Sequence, residues 1–166
     1  YVFTPHDSGY VAGEVHGLIA AKSDQSTLSG APWYNGVFNN TGATGAAVGK
    51  GLENTELIVL KQGKVTNVIL SAARLCADYV VTEDAEIFDD WFLPSKDELN
   101  KLYLNKEMIG GFKGDGYWSS TEEDQQGAWR QSFYNGYQNY GNKSSEGSEG
   151  AASGYYGRHV RAIRTF

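Results

Sequence analysis

The chain has 166 residues, 40% hydrophobic and 20% charged, with a formal net charge of −6. That size and balance fit a single soluble domain with its own core, and the negative charge argues against nucleic acid or an anionic membrane as partner. No apolar run approaches the ~20 residues needed to cross a bilayer, and the lone Cys76 excludes an internal disulfide or a thiolate metal cluster.

The 21 glycines and 11 tyrosines favour loops, turns and contact surfaces over a helical bundle. Tyr1-Val2-Phe3 reads as a strand with no signal peptide before it, so the chain is expected to be part of a longer exported protein. Turn residues follow, then a second, buried strand from Val15 to Ala21 that contains His16 as a hydrogen-bonded core residue. From Ser23 to Gly51 periodicity is weak, and Trp33 and Tyr34 are the anchors of a long irregular segment. Asn54 is a candidate N-cap for a helix over 55–60. Thr66 could cap the next helix, where Ile69, Ala72, Ala73 and Cys76 recur at i, i+3, i+4, i+7; on that stripe Cys76 is an inert small hydrophobe.

Five acids, Glu83, Asp84, Glu86, Asp89 and Asp90, form a solvated loop; the run lacks the alternating ligands and central glycine of an EF-hand. The clearest local signal is Ser95-Lys96-Asp97-Glu98, a capping box ahead of a helix with Leu99, Leu102 and Tyr103 on its apolar stripe. A glycine-rich stretch leads to an aromatic strand, Tyr117 to Thr121, an acidic turn over 122–127 and a second strand, 128–133. Alternation puts Trp129, Gln131 and Phe133 on one face and Arg130, Ser132 and Tyr134 on the other. Asn135-Gly136 is a hairpin signal that returns Tyr137 and Asn139 beside that strand. Residues 144–154 are low in complexity and read as a mobile loop. The final run, 160–166, breaks alternation, as a strand buried on both faces or carrying a bulge would.

Motifs for catalysis or cofactor binding are missing. The glycine-rich stretch at 45–51 is one residue short of a phosphate loop and has Gly51 where Mg²⁺ needs a hydroxyl. His6, His16 and His159 lack metal-ligand spacing, and there is no nucleophile elbow. The sequence therefore implies no metal, no cofactor and no catalytic residue.

Four stretches in order, HGLIAA with DQST at 16–27, DWFLPSKDEL at 90–99, YWSST at 117–121 and VRAIR at 160–164, together resemble one family. It is the bacterial C-type-lectin-like domain, found at the end of collagen-like adhesins and in the variable proteins of diversity-generating retroelements, a phage's major tropism determinant among them. The resemblance spans nearly the whole chain. It implies an α+β C-type-lectin-like fold over residues 1–166, with two main helices around small antiparallel sheets and paired N- and C-terminal strands. It further implies an open binding face after Trp118, where retroelement proteins diversify Asn codons to Tyr, Ser, Asp, Gly, His, Arg and similar residues. The residues in that set are Arg130, Ser132, Tyr134, Tyr137, Asn139, Tyr140, Asn142, Tyr155, Tyr156 and His159. The prolines stand outside any calcium-dependent sugar-binding tripeptide, and Cys76 alone cannot supply the cysteine pair of the related formylglycine-generating enzyme. The expectation is a non-catalytic adhesin or receptor-type domain on a bacterial surface or phage particle, gripping a protein or glycan on a cell surface. A structural module of a pilus or phage tail is the alternative, and a catalytic relative of the formylglycine-generating enzyme a remoter one.

Overall fold

A computed structural model describes residues 1–7, 10–63, 70–144 and 158–166. The described residues form a mixed α+β fold with four helices: α1 (Gly51–Gln62), α2 (Ala72–Ala77), α3 (Lys96–Leu104) and the single turn α4 (Lys106–Ile109). Seven short strands make three antiparallel sheets. In the first, β1 (Leu18–Ala20) pairs with β7 (Ile163–Thr165); in the second, β2 (Val81–Glu83) pairs with β3 (Glu86–Phe88). The third runs β4 (Gly116–Glu122), β5 (Gly127–Ser132), β6 (Gln138–Asn142).

β4 is the spine of the fold. Successive side chains of a strand point to opposite faces, and here both faces are covered: Trp118 enters one apolar cluster and Tyr117 the other, each fully buried. The Trp118 cluster includes Trp33, Ile58, Leu93 and Cys76. The Tyr117 cluster includes Leu18, Phe92, Leu99, Phe133 and Ile163. Each such aliphatic or Phe side chain contributes ~1.5–3 kcal/mol by leaving water. The two fully buried indoles also find acceptors: Trp33 Nε1 donates to Ser119 O (2.8 Å) and Trp118 Nε1 to Ala31 O (2.9 Å). Trp33 is thus the anchor its long irregular segment needs.

The capping box is as the sequence predicts. Ser95 Oγ accepts from Glu98 N (3.3 Å), and Glu98 Oε2 accepts from Ser95 N (2.7 Å). Glu98 Oε1 also accepts from Gly49 N (2.8 Å), next to the start of α1. A side chain at Gly51 would collide with Glu98 Oε2, so only glycine lets α1 begin there. One buried carboxylate therefore serves the N-termini of both long helices, although burial pushes its pKa up against the lowering by those amides.

Several expectations are corrected. Residues 1–3 do not pair with the C-terminal strand; they lie on the other side of the β1 segment, through Phe3 N to His16 O (2.8 Å) and Leu18 N to Tyr1 O (2.7 Å). Gly17 lies between the two ends and also bonds Phe166 in both directions at 3.2 Å. His16 is half-exposed and holds Glu14 at 2.6 Å instead of joining the core. Asn54 does not cap α1; it is buried inside the helix because its amide bridges Gly45 and Ser120, a tertiary demand that outweighs local preference. Thr66 and Ile69 fall outside the described residues, but Ala72, Ala73 and Cys76 do form the buried stripe of α2, where burial raises the Cys76 pKa well above that of an ordinary thiol. The acidic stretch is a hairpin, with Asp84 and Ala85 both at positive φ in its turn. Glu122 belongs to β4 and is buried, not part of an exposed turn.

The C-terminal run is buried on both faces over residues 160–163, as its broken alternation predicts. Only its end is a strand; earlier residues are held by the irregular segment, through Gln25 N to Val160 O (2.8 Å) and Ala21 N to Ala162 O (2.9 Å). Arg161 is fully buried among compensating groups: Asp24 at 2.8 Å, the carbonyls of Ala21 and Gly111, and the Phe112 ring 4.1 Å from its guanidinium carbon.

Candidate functional site

The β5–β6 hairpin carries the surface singled out by composition. The turn forms around Asn135-Gly136: Gly136 takes φ 79°, Ser132 N donates to Tyr137 O (2.9 Å), and Gly136 N donates to Ser132 O (2.8 Å). The Tyr103 ring of α3 occupies the space a Gly136 side chain would need, so the turn is seated on the helix. Gln131, fully buried, donates to Asn100 Oδ1 (2.8 Å), and Gln138 donates to the Lys96 carbonyl (3.0 Å). α3 thus clamps one face of the hairpin near its turn.

Register divides the predicted site residues between two faces. Directly opposed residues of an antiparallel pair share a face. Trp129 opposes Tyr140, and Arg130 opposes Asn139. Tyr140 therefore lies with Trp129, their rings edge to face at 6.0 Å, and not with Arg130 as a single binding face requires. Trp129 is itself half-exposed: Lys96 Nζ sits 3.6 Å over its ring and its Nε1 donates to Glu123 at 2.5 Å. The buried places on this face belong to Gln131 and Phe133, not to Trp129.

Tyr134, Tyr137 and Tyr140 are 79%, 65% and 59% exposed, unusual for rings this large. Tyr134 and Tyr137 stand in the turn, where strand alternation no longer applies. Tyr134 rims a cleft of about 260 Å³ lined also by Lys106, Phe112, Lys113 and the glycines between them. Arg130, Ser132 and Asn139 are half-buried on the opposite sheet face from Tyr140. Asn142 is exposed, its side-chain oxygen held by Ser144. Tyr155 and Tyr156 lie outside the described residues.

His159 is fully buried, and its place in an exposed binding face is corrected. It bridges to β4 beside Tyr117, with ring centroids 5.4 Å apart. Its nitrogens lie 3.4 Å from Ser26 Oγ, 3.4 Å from Asp115 and 3.8 Å from Asp24. The grouping has the members of a Ser-His-Asp triad but not its arrangement. The contacts are long, Ser26 Oγ already accepts from Val160 N (3.2 Å), and no substrate reaches a ring without exposed surface. Burial lowers the His159 pKa, only partly offset by Asp24 and Asp115. Tyr117 OH donates to Asp24 (3.0 Å), and burial raises its pKa far above that of an ordinary phenol.

Two side chains that shape this surface escape sequence reasoning. Lys143, at the end of β6, is buried against Glu122 at 2.5 Å and lies 4.6 Å over the Trp33 ring. Arg158 lies over Trp118 beside Arg130. A buried lysine in an Asn-rich stretch gives no sequence signal; Arg158 is marked only by preceding the apolar C-terminal run. Among the described residues no group of three His, Cys, Asp or Glu side chains could hold a metal ion, and no helix is long and apolar enough to cross a membrane. No family model matches the chain, and no curated protein matches it.

Proposed function

We propose that the chain is a non-catalytic ligand-binding domain of C-type-lectin-like fold, of the adhesin or receptor type, acting outside the cell on a bacterial surface or phage particle. The observation that carries the binding role is the group of three exposed tyrosines on a hairpin clamped by α3. Tyrosine gives large amphipathic contact area with little rotamer entropy to lose, and a seated hairpin lowers the ordering cost of binding. The fold assignment draws support from the pairing of β1 with β7 and from the two long helices flanking β4 and β5. A protein or glycan on a cell surface is the partner, with Tyr134, Tyr137 and Tyr140 as principal contacts. A retroelement variable protein is the form of this reading in which the last 50 residues differ between sister genes.

The test is binding of the domain to arrayed cell-surface proteins and glycans. Tyr134→Ala or Tyr140→Ala should weaken the selected interaction at least ~10-fold, with stability changed by no more than ~0.5 kcal/mol. Variants that melt early yet bind normally would place these rings in the folding core and refute the assignment. Neighbouring DNA tests the retroelement form: it requires a reverse transcriptase gene and a near-copy of codons 117 to 166 differing mainly at adenines.

A further inference from the structure

Two aromatic rings and two carboxylates meet where the acidic turn between β4 and β5 reaches the Trp129 face of the sheet. Trp129 and Tyr140 stand side by side there, and Tyr140 is exposed. Glu123, exposed in the turn, accepts from Trp129 Nε1 through Oε2. A methyl group built on Gly127 would meet Asp124 Oδ1 at 3.2 Å and Tyr140 Cδ2 at 3.5 Å, so Gly127 lets the Tyr140 ring lie close to the Asp124 carboxylate. Asp124 Oδ1 is taken up by the amides of Gln126 and Gly127. Among the described residues, neither carboxylate is in an ion pair; the nearby Lys143 is buried and committed to Glu122. Lys96 brings a cation to this corner: its Nζ lies 3.6 Å from the Trp129 ring centroid and, among the described residues, makes no ion pair. The chain thus holds a positive charge on this surface by ring contact.

The negative face of an aromatic ring attracts a cation, and carboxylates beside the ring add to that attraction. Arginine suits the corner better than lysine. Its flat, weakly hydrated guanidinium stacks on a ring while its fork reaches a carboxylate. The chain's net charge of −6 steers a basic partner toward it and opposes an acidic glycan. Tryptophan, tyrosine and arginine are also the side chains in which protein-binding hot spots are rich. We propose that Trp129, Tyr140, Glu123 and Asp124 form a cation-binding subsite whose ligand is an arginine side chain of a protein partner. Lys96 is then the chain's own competitor for that charge. The protein source rests on the binding role proposed above; the subsite does not, and capped arginine tests it alone.

The experiment titrates the ¹⁵N-labelled domain with N-acetyl-arginine amide, N-acetyl-lysine amide or glucosamine, with sodium chloride holding ionic strength constant. The Trp129 Nε1–H resonance and the Tyr140 amide are followed. Capped arginine should move both saturably, and capped lysine should bind more weakly. Glu123→Gln keeps an acceptor for the indole but removes the charge; it should weaken binding about 2- to 5-fold, read at the Tyr140 amide. Tyr140→Ala should weaken it by a similar factor, read at the indole. Lys96→Gln removes the competing cation and should tighten binding about 2- to 5-fold. No saturable shift with capped arginine overturns the subsite. Weaker binding in Lys96→Gln overturns it too, since the lysine would then be a contact for the ligand and not its rival. Capped lysine binding as tightly as capped arginine overturns the choice of arginine. Glucosamine binding tenfold more tightly than capped arginine overturns the protein source and leaves the subsite standing.

Discussion

Replacing Lys143 by methionine tests the support beneath the binding surface. Lys143 Nζ uses all three of its donors: to Glu122 Oε1 at 2.5 Å and to the carbonyls of Asn39 and Gln125, both at 3.1 Å. Glu122 in turn accepts from Thr41 N and Gly42 N, all at 2.9 Å. Methionine fills most of the lysine volume but leaves a buried carboxylate without its cation and two carbonyls without a donor. Removing one partner of a buried pair costs ~3–5 kcal/mol, because the remaining charge stays desolvated. For a domain of this length that is a fall in Tm of about 6–20 °C, a large share of a total stability of ~5–15 kcal/mol. Urea unfolding followed by tryptophan fluorescence measures it. Lys143→Met/Glu122→Gln should recover part of the loss, since the double variant buries no lone charge. A loss below ~1 kcal/mol for Lys143→Met would place the pair with exposed ion pairs and refute the reasoning.

Trp118→Ala should cost ~3–5 kcal/mol, because the ring is fully buried and its N–H bond to Ala31 is lost; half-exposed Trp129→Ala should cost clearly less in the same urea titration. Cys76→Ala should lower stability by ~1 kcal/mol and leave ligand binding unchanged, as should a chelator, in parallel melting and binding assays. The lowered pKa of His159 means that, between its folded value and ~6.5, the unfolded chain binds more protons than the folded one. Its contribution is complete above pH ~6.5 and is lost as pH falls, so the urea midpoint should drop between pH 7.5 and 5.5, and His159→Gln should flatten that slope.

What was legible in the sequence is what depends on near neighbours. The capping box at Ser95 and the Asn135-Gly136 turn are set by residues within five positions of one another, and both form. The stripe through Ala72, Ala73 and Cys76 follows helical period and is buried. Alternation along β5 holds, with Trp129 and Gln131 on one face and Arg130 on the other, but it does not say which is buried: Trp129 is left at the rim while Gln131 is drawn under α3. The five-residue turn sets the return register, which places Tyr140 opposite Trp129 and away from Arg130. Composition marks 122–159 as surface, yet Glu122, Lys143 and His159 are interior because each is held by groups from other parts of the chain. Asn54 and residues 1–3 mislead for the same reason: their partners lie far along the sequence.

The shared carboxylate of Glu98 bears on how the chain folds. The α1 start is satisfied by a residue 49 positions later, and the irregular segment at 21–31 is held by residues 158–162, well over a hundred positions on. Closing such long loops is slow, and chains rich in distant pairings fold late. During synthesis the early half meets neither its helix cap nor its β7 partner, so the core closes only when residues 158–163 arrive. Until then Trp33 and Leu18 remain open to chaperones, and a chain stopped before Arg158 should behave as an unfolded polypeptide, not as a shorter domain.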